Sequence, residues 1–202
     1  VVEALGKIDT SVILGGDMIG SQLLPNLPVV ELELGEYSVQ LTEVGNNQAS
    51  MTKSTTKVLA VASGGGHWEQ LMLLRDTLDC YDVRFATTDP VIAERRGIAD
   101  ADILPDCNQN TPIRAFLCAV FALRIIMKHR PDVVLSTGAA PGYFCLLAGR
   151  LVGAKTLWID SVANGEELSM CGKLSKRTAH QCLTQWEHLA DGAKVKYRGA
   201  VL

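Results

Sequence analysis

Apolar positions recur along this chain with two different periods, and the change from one to the other divides it. Near the start the period is two. Val30, Leu32 and Leu34 alternate with Glu31 and Glu33; Gly35-Glu36 interrupts; then Tyr37, Val39 and Leu41 alternate with Ser38, Gln40 and Thr42. That pattern predicts a β-hairpin with a two-residue turn and one apolar face. From Lys57 onward, short apolar runs alternate with segments of helical spacing. Val58–Ala62, Val83–Thr87, Ile103-Leu104, Val133–Ser136, Thr156–Ile159, Gln181–Gln185 and Val195–Tyr197 predict strands. Trp68–Leu78, Pro90–Gly97, Thr111–His129 and Ala140–Val152 predict helices. Thr111-Pro112 supplies an N-cap and a first-turn proline. Strands alternating with helices argue an α/β fold, a Rossmann-like parallel sheet with helices on both faces. Ligands of such sheets bind at the carboxyl ends of the strands.

Composition sharpens the division. Over 202 residues the chain is 48% hydrophobic and 20% charged, enough apolar matter for a real core. The net charge of −3 is uneven: residues 1–50 sum to −6 and the remainder to +3. Residues 45–57, GNNQASMTKSTTK, are small, polar and without period, which predicts a linker. The expected organisation is an acidic segment over 1–44 (a hairpin or fusion remnant), the linker, and one domain over 58–202. Six cysteines stand singly, with no C-x-x-C pair, so zinc ribbons and thioredoxin-like motifs are unsupported and a reducing setting is expected. No run reaches the ~20 apolar residues of a spanning helix, and no basic n-region or apolar stretch marks a signal peptide.

Four places could carry chemistry. Ser63-Gly64-Gly65-Gly66-His67-Trp68-Glu69 follows the first strand of the alternating region and opens a helix. Three glycines allow close backbone approach, and a helix start offers unpaired N–H groups, which together suit a phosphate or diphosphate. The plain alternative is a tight turn. Glu69 occupies the third glycine position of a dinucleotide fingerprint and no Gly-Lys-Ser/Thr follows, which argues against an NAD(P) oxidoreductase and against a P-loop. His67 is either a phosphate donor or base, or a structural hydrogen-bonder. Thr137-Gly138-Ala139-Ala140-Pro141-Gly142 is a second small-residue junction on the same expected rim. It either frames a crevice or permits close helix–sheet packing. Asp160-Ser161 ends a strand: a base, a sugar-orienting carboxylate, or an N-cap. The Thr111–His129 helix is apolar on nearly every side and ends Lys128-His129-Arg130. It is either interfacial at an anionic membrane or buried between sheet and partner. Lys173, Lys176 and Arg177 form a second basic cluster.

With these residues in view, about Lys57 to Leu202 resembles the membrane-associated acceptor subunit of the two-part UDP-N-acetylglucosamine transferase of lipid-linked oligosaccharide synthesis. It also resembles the bacterial exopolysaccharide and capsule counterparts of PssD type. The matching stretches are Ser63–Glu69, Arg130–Gly142, Ile159–Lys173, Gln185-Trp186 and Tyr197–Leu202, in order and spacing. The resemblance implies the N-terminal half of a GT-B glycosyltransferase. It implies that Gly64, Gly65, Gly66, His67 and Glu69 bind the diphosphate of a polyprenyl-diphosphate-linked saccharide, beside the second loop Thr137–Gly142. His67, Asp160 and Glu166 are the implied catalytic candidates, and Ser161, Ser169, Gly172, Lys173, Gln185 and Trp186 match as well. The implied partner is a small donor-binding subunit that holds the UDP-sugar, so that this chain alone is expected to be inactive. No metal, no cofactor of its own and no nucleic acid are expected. The expected place is the cytoplasmic face of the inner (plasma) membrane, attached peripherally. A rival of another class is a recruitment subunit that docks the catalytic partner at the membrane and contributes no catalytic side chain.

Overall fold

The computed structural model describes residues 32–34, 37–39 and 54–201. The chain divides into two units, Val1–Ser54 and Thr55–Leu202. In the first, β1 (Leu32–Leu34) pairs antiparallel with β2 (Tyr37–Val39). Leu34 stands opposite Tyr37 and Leu32 opposite Val39, the register a two-residue connection requires. Most of the expected linker lies outside the described residues, and its last residue, Lys57, is instead the first of a strand.

The second unit is built on seven parallel strands: β3 (Lys57–Ala62), β4 (Asp82–Thr87), β5 (Asp102–Ile103), β6 (Val133–Ser136), β7 (Lys155–Ile159), β8 (Gln181–Thr184) and β9 (Val195–Tyr197). Their order across the sheet is β5-β4-β3-β6-β7-β8-β9. The chain walks outward from β3 to β5, returns, and walks the other way from β6. The reversal therefore falls between β3 and β6, where Val58 pairs Val133 and Val61 pairs Ser136. Crevices in such sheets open at this switch, beyond the strand carboxyl ends.

Strands covered on both faces read as unbroken apolar runs, and Val58, Leu59, Ala60, Val61 and Ala62 are all buried. Leu59 and Val61 point into a core shared with Val134, Trp158 and Cys182 and with Cys118, Ala122, Ile125 and Ile126 of helix α4 (Pro112–His129). Helix α5 (Ala139–Leu151) packs beside α4 and brings in Cys145, Leu146 and Ala148. At Gly149 a Cβ would come within 2.6 Å of Val134 Cγ2, so α5 lies unusually close to β6.

Several expected elements differ in detail. The helix expected over Trp68–Leu78 is two: α1 (Gly66–Met72) and α2 (Arg75–Leu78). At the break Leu74 N–H donates to Leu71 O, three residues back, which overtightens the ladder and restarts it. Helix α3 (Pro90–Arg95) is capped by Asp89, whose carboxylate accepts from the amides of Val91 and Ile92. Thr111 precedes α4 without capping it. Its hydroxyl turns back to Asn108, accepting from that amide and donating to that carbonyl. Helix α6 (Met170–Thr178), which the apolar pattern does not predict, fills the connection from β7 to β8. A single 3-10 turn, Glu187–Leu189, precedes β9.

Candidate functional site

The glycine loop follows β3 and the Thr137 loop follows β6, so the two stand on either side of the switch point. His67 ties them together. Its Nδ1 lies 3.2 Å from Thr137 O, while Thr137 Oγ1 donates to His67 O at 2.7 Å. A carbonyl can only accept, so Nδ1 carries the proton, and in the neutral ring Nε2 keeps the lone pair. Gly138 makes this possible. Its φ is +148°, and a Cβ there would overlap the His67 ring. Gly142 serves a different end, because a Cβ there would strike Ser136 Oγ on the neighbouring strand. Both ends of this loop are therefore closely packed, Gly138 against His67 and Gly142 against Ser136. Pro141 is buried, and Ala139 and Ala140 are half-buried at the head of α5. No side chain caps α5 at Gly138.

Gly65 and Gly66 are exposed on the rim, and Gly64 N–H donates to Thr88 Oγ1 at 3.0 Å, anchoring the loop to the β4 end. Glu69 is half-exposed on α1. It leaves the loop and forms an ion pair with Arg96 beyond α3. A carboxylate beside a diphosphate would repel it, and the Arg96 pairing offsets that charge.

Asp160 is also turned inward. Only 1% of it is exposed. Oδ1 accepts from Trp158 Nε1 at 3.0 Å and from Ser169 Oγ at 2.5 Å, and Oδ2 accepts from Ser169 N at 2.8 Å. Three donors satisfy a buried carboxylate. Ser169 in turn caps α6, accepting from Gly172 N at 2.8 Å. Gly172 is needed there, since a Cβ would lie 2.6 Å from Asp160 Oδ1. Asp160 and Ser169 thus pin the start of α6 to the end of β7. Asp160 is thus buried in structural hydrogen bonds, two at Oδ1 and one at Oδ2, and does not reach into the space between the two loops with His67. Glu166 stands exposed on the following loop, and no hydrogen bond joins it to His67 or Asp160. Lys173 pairs with Glu167 and Lys176 with Asp191, so the second basic cluster is largely neutralised at contact range.

Beneath the rim lies a residue the sequence reading passed over. Gln70, one turn beyond His67, is 7% exposed. Its Nε2 donates to Ser161 Oγ at 2.9 Å, and its Oε1 accepts from Gln185 Nε2 at 2.7 Å and from Val162 N at 3.2 Å. Gln185 also donates to Asp160 O and accepts from Val201 N. One pair of amides therefore joins α1, the β7 and β8 ends and the final residues. The available signal was a polar residue beside Leu71 and Leu74 on the inward stripe of a helix. Trp186 Nε1 donates to Val162 O, and its ring lies 3.3 Å from the position of a Gly165 Cβ, while His188 meets Gly165 O. Together they fix the loop that carries Glu166.

Residues 105–201 match the family described as "Oligosaccharide biosynthesis protein Alg14 like". The chain is 31% identical over 99 residues to UDP-N-acetylglucosamine transferase subunit ALG14 of Candida albicans, covering 46% of this chain and 44% of that one. It is 27% identical over 190 residues to subunit alg14 of Schizosaccharomyces pombe, covering 78% and 90%. Among solved structures, MurG of Acinetobacter baumannii superposes with a TM-score of 0.58 at 17% identity, over 72% of this chain and 46% of MurG. UDP-GlcNAc 2-epimerase of Neisseria meningitidis, bound to UDP-GlcNAc, gives 0.55 at 14%, over 72% and 47%. At such identities these two speak to the fold alone, a Rossmann-like half of the GT-B kind. This chain spans less than half of either structure and of the Candida relative.

Proposed function

We propose, from the match of residues 105–201 to the Alg14-like family, that this chain is the acceptor half of a split glycosyltransferase. In this reading it binds a polyprenyl-diphosphate-linked saccharide at the cytoplasmic membrane face, and a smaller partner presents a UDP-sugar. The product belongs to lipid-linked oligosaccharide or to exopolysaccharide and capsule synthesis. UDP-N-acetylglucosamine, named in both curated relatives, is the first donor to test. The observation that carries the reading is the pair of side-chain-poor loops at the β3/β6 switch, locked together through His67 and Thr137. Such loops let a diphosphate approach backbone amides, and the uncapped start of the thirteen-residue α5 adds first-turn N–H groups on the same rim.

In the transfer an acceptor hydroxyl oxygen attacks C1 of the donor sugar. The C1–O bond to UDP breaks, UDP leaves with the electron pair, and the hydroxyl proton passes to a base. His67 is the candidate for that base through Nε2, because Nδ1–H is committed to Thr137 O. Asp160, Ser169, Gln70 and Gln185 act as positioning groups. The recruitment reading retains one observation in its favour: of the three candidate catalytic side chains, only His67 sits between the two loops.

The test is transfer from UDP-sugars to membrane lipid extract by this chain, by a co-expressed donor-side partner, and by the two together. Activity in the pair alone is expected; full activity from this chain alone overturns the reading. His67→Asn then separates the roles, since Asn can keep the donor to Thr137 O while removing Nε2. Loss of kcat at unchanged KM makes His67 the base. Full turnover transfers the choice to recruitment.

A further inference from the structure

Helix α4 has two apolar faces, and the core uses only one. Cys118, Ala122, Ile125 and Ile126 are buried against sheet and α5. At 100° per residue, Ile113, Phe116, Leu117, Leu123 and Met127 fall on the opposite side, and all five are exposed: Ile113 by 77% and Phe116 by 69%. An 18-residue helix is about 27 Å long, so this is an extended apolar strip. Its charges are of one sign. Arg114, Arg124 and Lys128 are the ionised residues of α4, with no Asp or Glu among its 18 positions. Arg124 lies over the Phe121 ring at 5.8 Å. At the far end Lys128 and His129 share Asp102, and Arg130 is exposed. The cations that flank the strip are Arg114 and Arg124.

We propose that the outward face of α4 is the membrane-seating surface of this protein, lying flat in an anionic lipid interface. No helix among the described residues is long and apolar enough to cross a membrane. A strip of aliphatic and aromatic side chains with only basic residues among its charges suits the boundary of acyl chains and acidic headgroups. Position adds a second argument. In a parallel sheet the connecting helices run back from the strand carboxyl ends, so α4 and α5 both start at the rim. The most exposed residues, Ile113 and Phe116, are in the first turns of α4, at the end nearest the acceptor loops. A lipid-linked substrate would then meet the crevice with its chain still in the bilayer. The orientation deepens the acceptor reading and rests on it; the lipid affinity does not.

The test is co-sedimentation of the full chain with vesicles of phosphatidylcholine, with and without phosphatidylglycerol. Binding is expected to be stronger to the anionic vesicles and to weaken with salt. The triple variant I113S/F116S/L117S is expected to keep its melting temperature, because these side chains face outward, and to lose at least about tenfold in vesicle affinity. R114Q and R124Q should each remove about fivefold of the affinity for anionic vesicles. Wild-type protein that stays in the supernatant with both vesicles overturns the proposal. So does a triple variant that binds as wild type, or one that only dissolves a wild-type dimer and so makes the strip a contact between copies. Vesicle binding is read without sugar transfer. If transfer fails in every combination while the triple variant still loses its vesicles, the glycosyltransferase reading falls and this one stands.

Discussion

Replacing Gly138 by alanine tests whether the two rim loops work as one unit. The added Cβ would overlap the His67 ring, and the ring must withdraw by more than about 1 Å to regain van der Waals distance. That movement breaks the His67–Thr137 contact at 3.2 Å and loosens the Thr137 hydroxyl bond at 2.7 Å. Two hydrogen bonds are worth about 0.5–1.5 kcal/mol each. Alanine at φ +148° adds about 1–3 kcal/mol of backbone strain. If the loop does not relax, the stability loss is about 2–6 kcal/mol. If the loop relaxes, the strain is relieved by moving the loop, and the cost appears in activity. A 1 Å misplacement of reacting groups costs on the order of 100-fold. The assay is therefore double: thermal unfolding of the variant, and transfer by the variant with its partner. A G138A protein with wild-type melting and wild-type turnover would refute the claim that His67 and the Thr137 loop must approach this closely.

Two further outcomes follow from the same hydrogen bonds. Gln70→Leu strips three bonds at 2.9, 2.7 and 3.2 Å and strands buried donors; at about 1–3 kcal/mol for an unsatisfied group, the melting temperature should fall by several degrees, and an unchanged value in calorimetry would remove the network from the stability account. His180 should make stability decline in acid. Desolvation first, then the charges of Arg150 and Lys155, hold its imidazole below the ordinary 6.5, while its Nδ1 accepts from Thr156 N at 3.1 Å. The unfolded chain takes the proton first, so stability is full above about pH 6.5 and is lost as the pH falls toward the folded value. His180→Asn keeps an acceptor without a titrating ring, and a wild-type slope in its melting temperature between neutral and acid pH would assign the effect elsewhere.

The central strands β3, β6, β7 and β8 were legible because they are largely buried, and such strands advertise themselves as apolar runs. The glycine loop was legible because three glycines have few uses. Helix α6 was hidden by its own packing. Gly172 weakens a helix by about 1 kcal/mol relative to alanine, yet a side chain there would collide with Asp160. Its N-cap Ser169 and its basic last turn were the signals that remained. Helix α4 shows a different limit. Being apolar all round, it announces burial without saying which side, and only the fold separates Ile126 in the core from Phe116 outside it. Gln70 could not be distinguished from a surface glutamine, since its partners lie 91 and 115 residues away.

The same fold explains why the carboxylates and the histidine part company. A strand-end aspartate faces the rim in sequence terms, and Asp160 does end β7. Yet the connection that follows must bring α6 back beneath the rim, and its first turn arrives with an unpaired amide and a serine. Asp160 satisfies both, and Gly172 lets the helix come close enough. Those bonds tie the carboxylate to the start of α6. His67 is under the opposite constraint. It is tied through one nitrogen only, at the point where two loops with little side chain of their own meet. On the proposed reading, such loops would offer a ligand backbone amides more than side chains. That division suits a chain whose relatives include subunits and whose length covers less than half of the larger folds it superposes on.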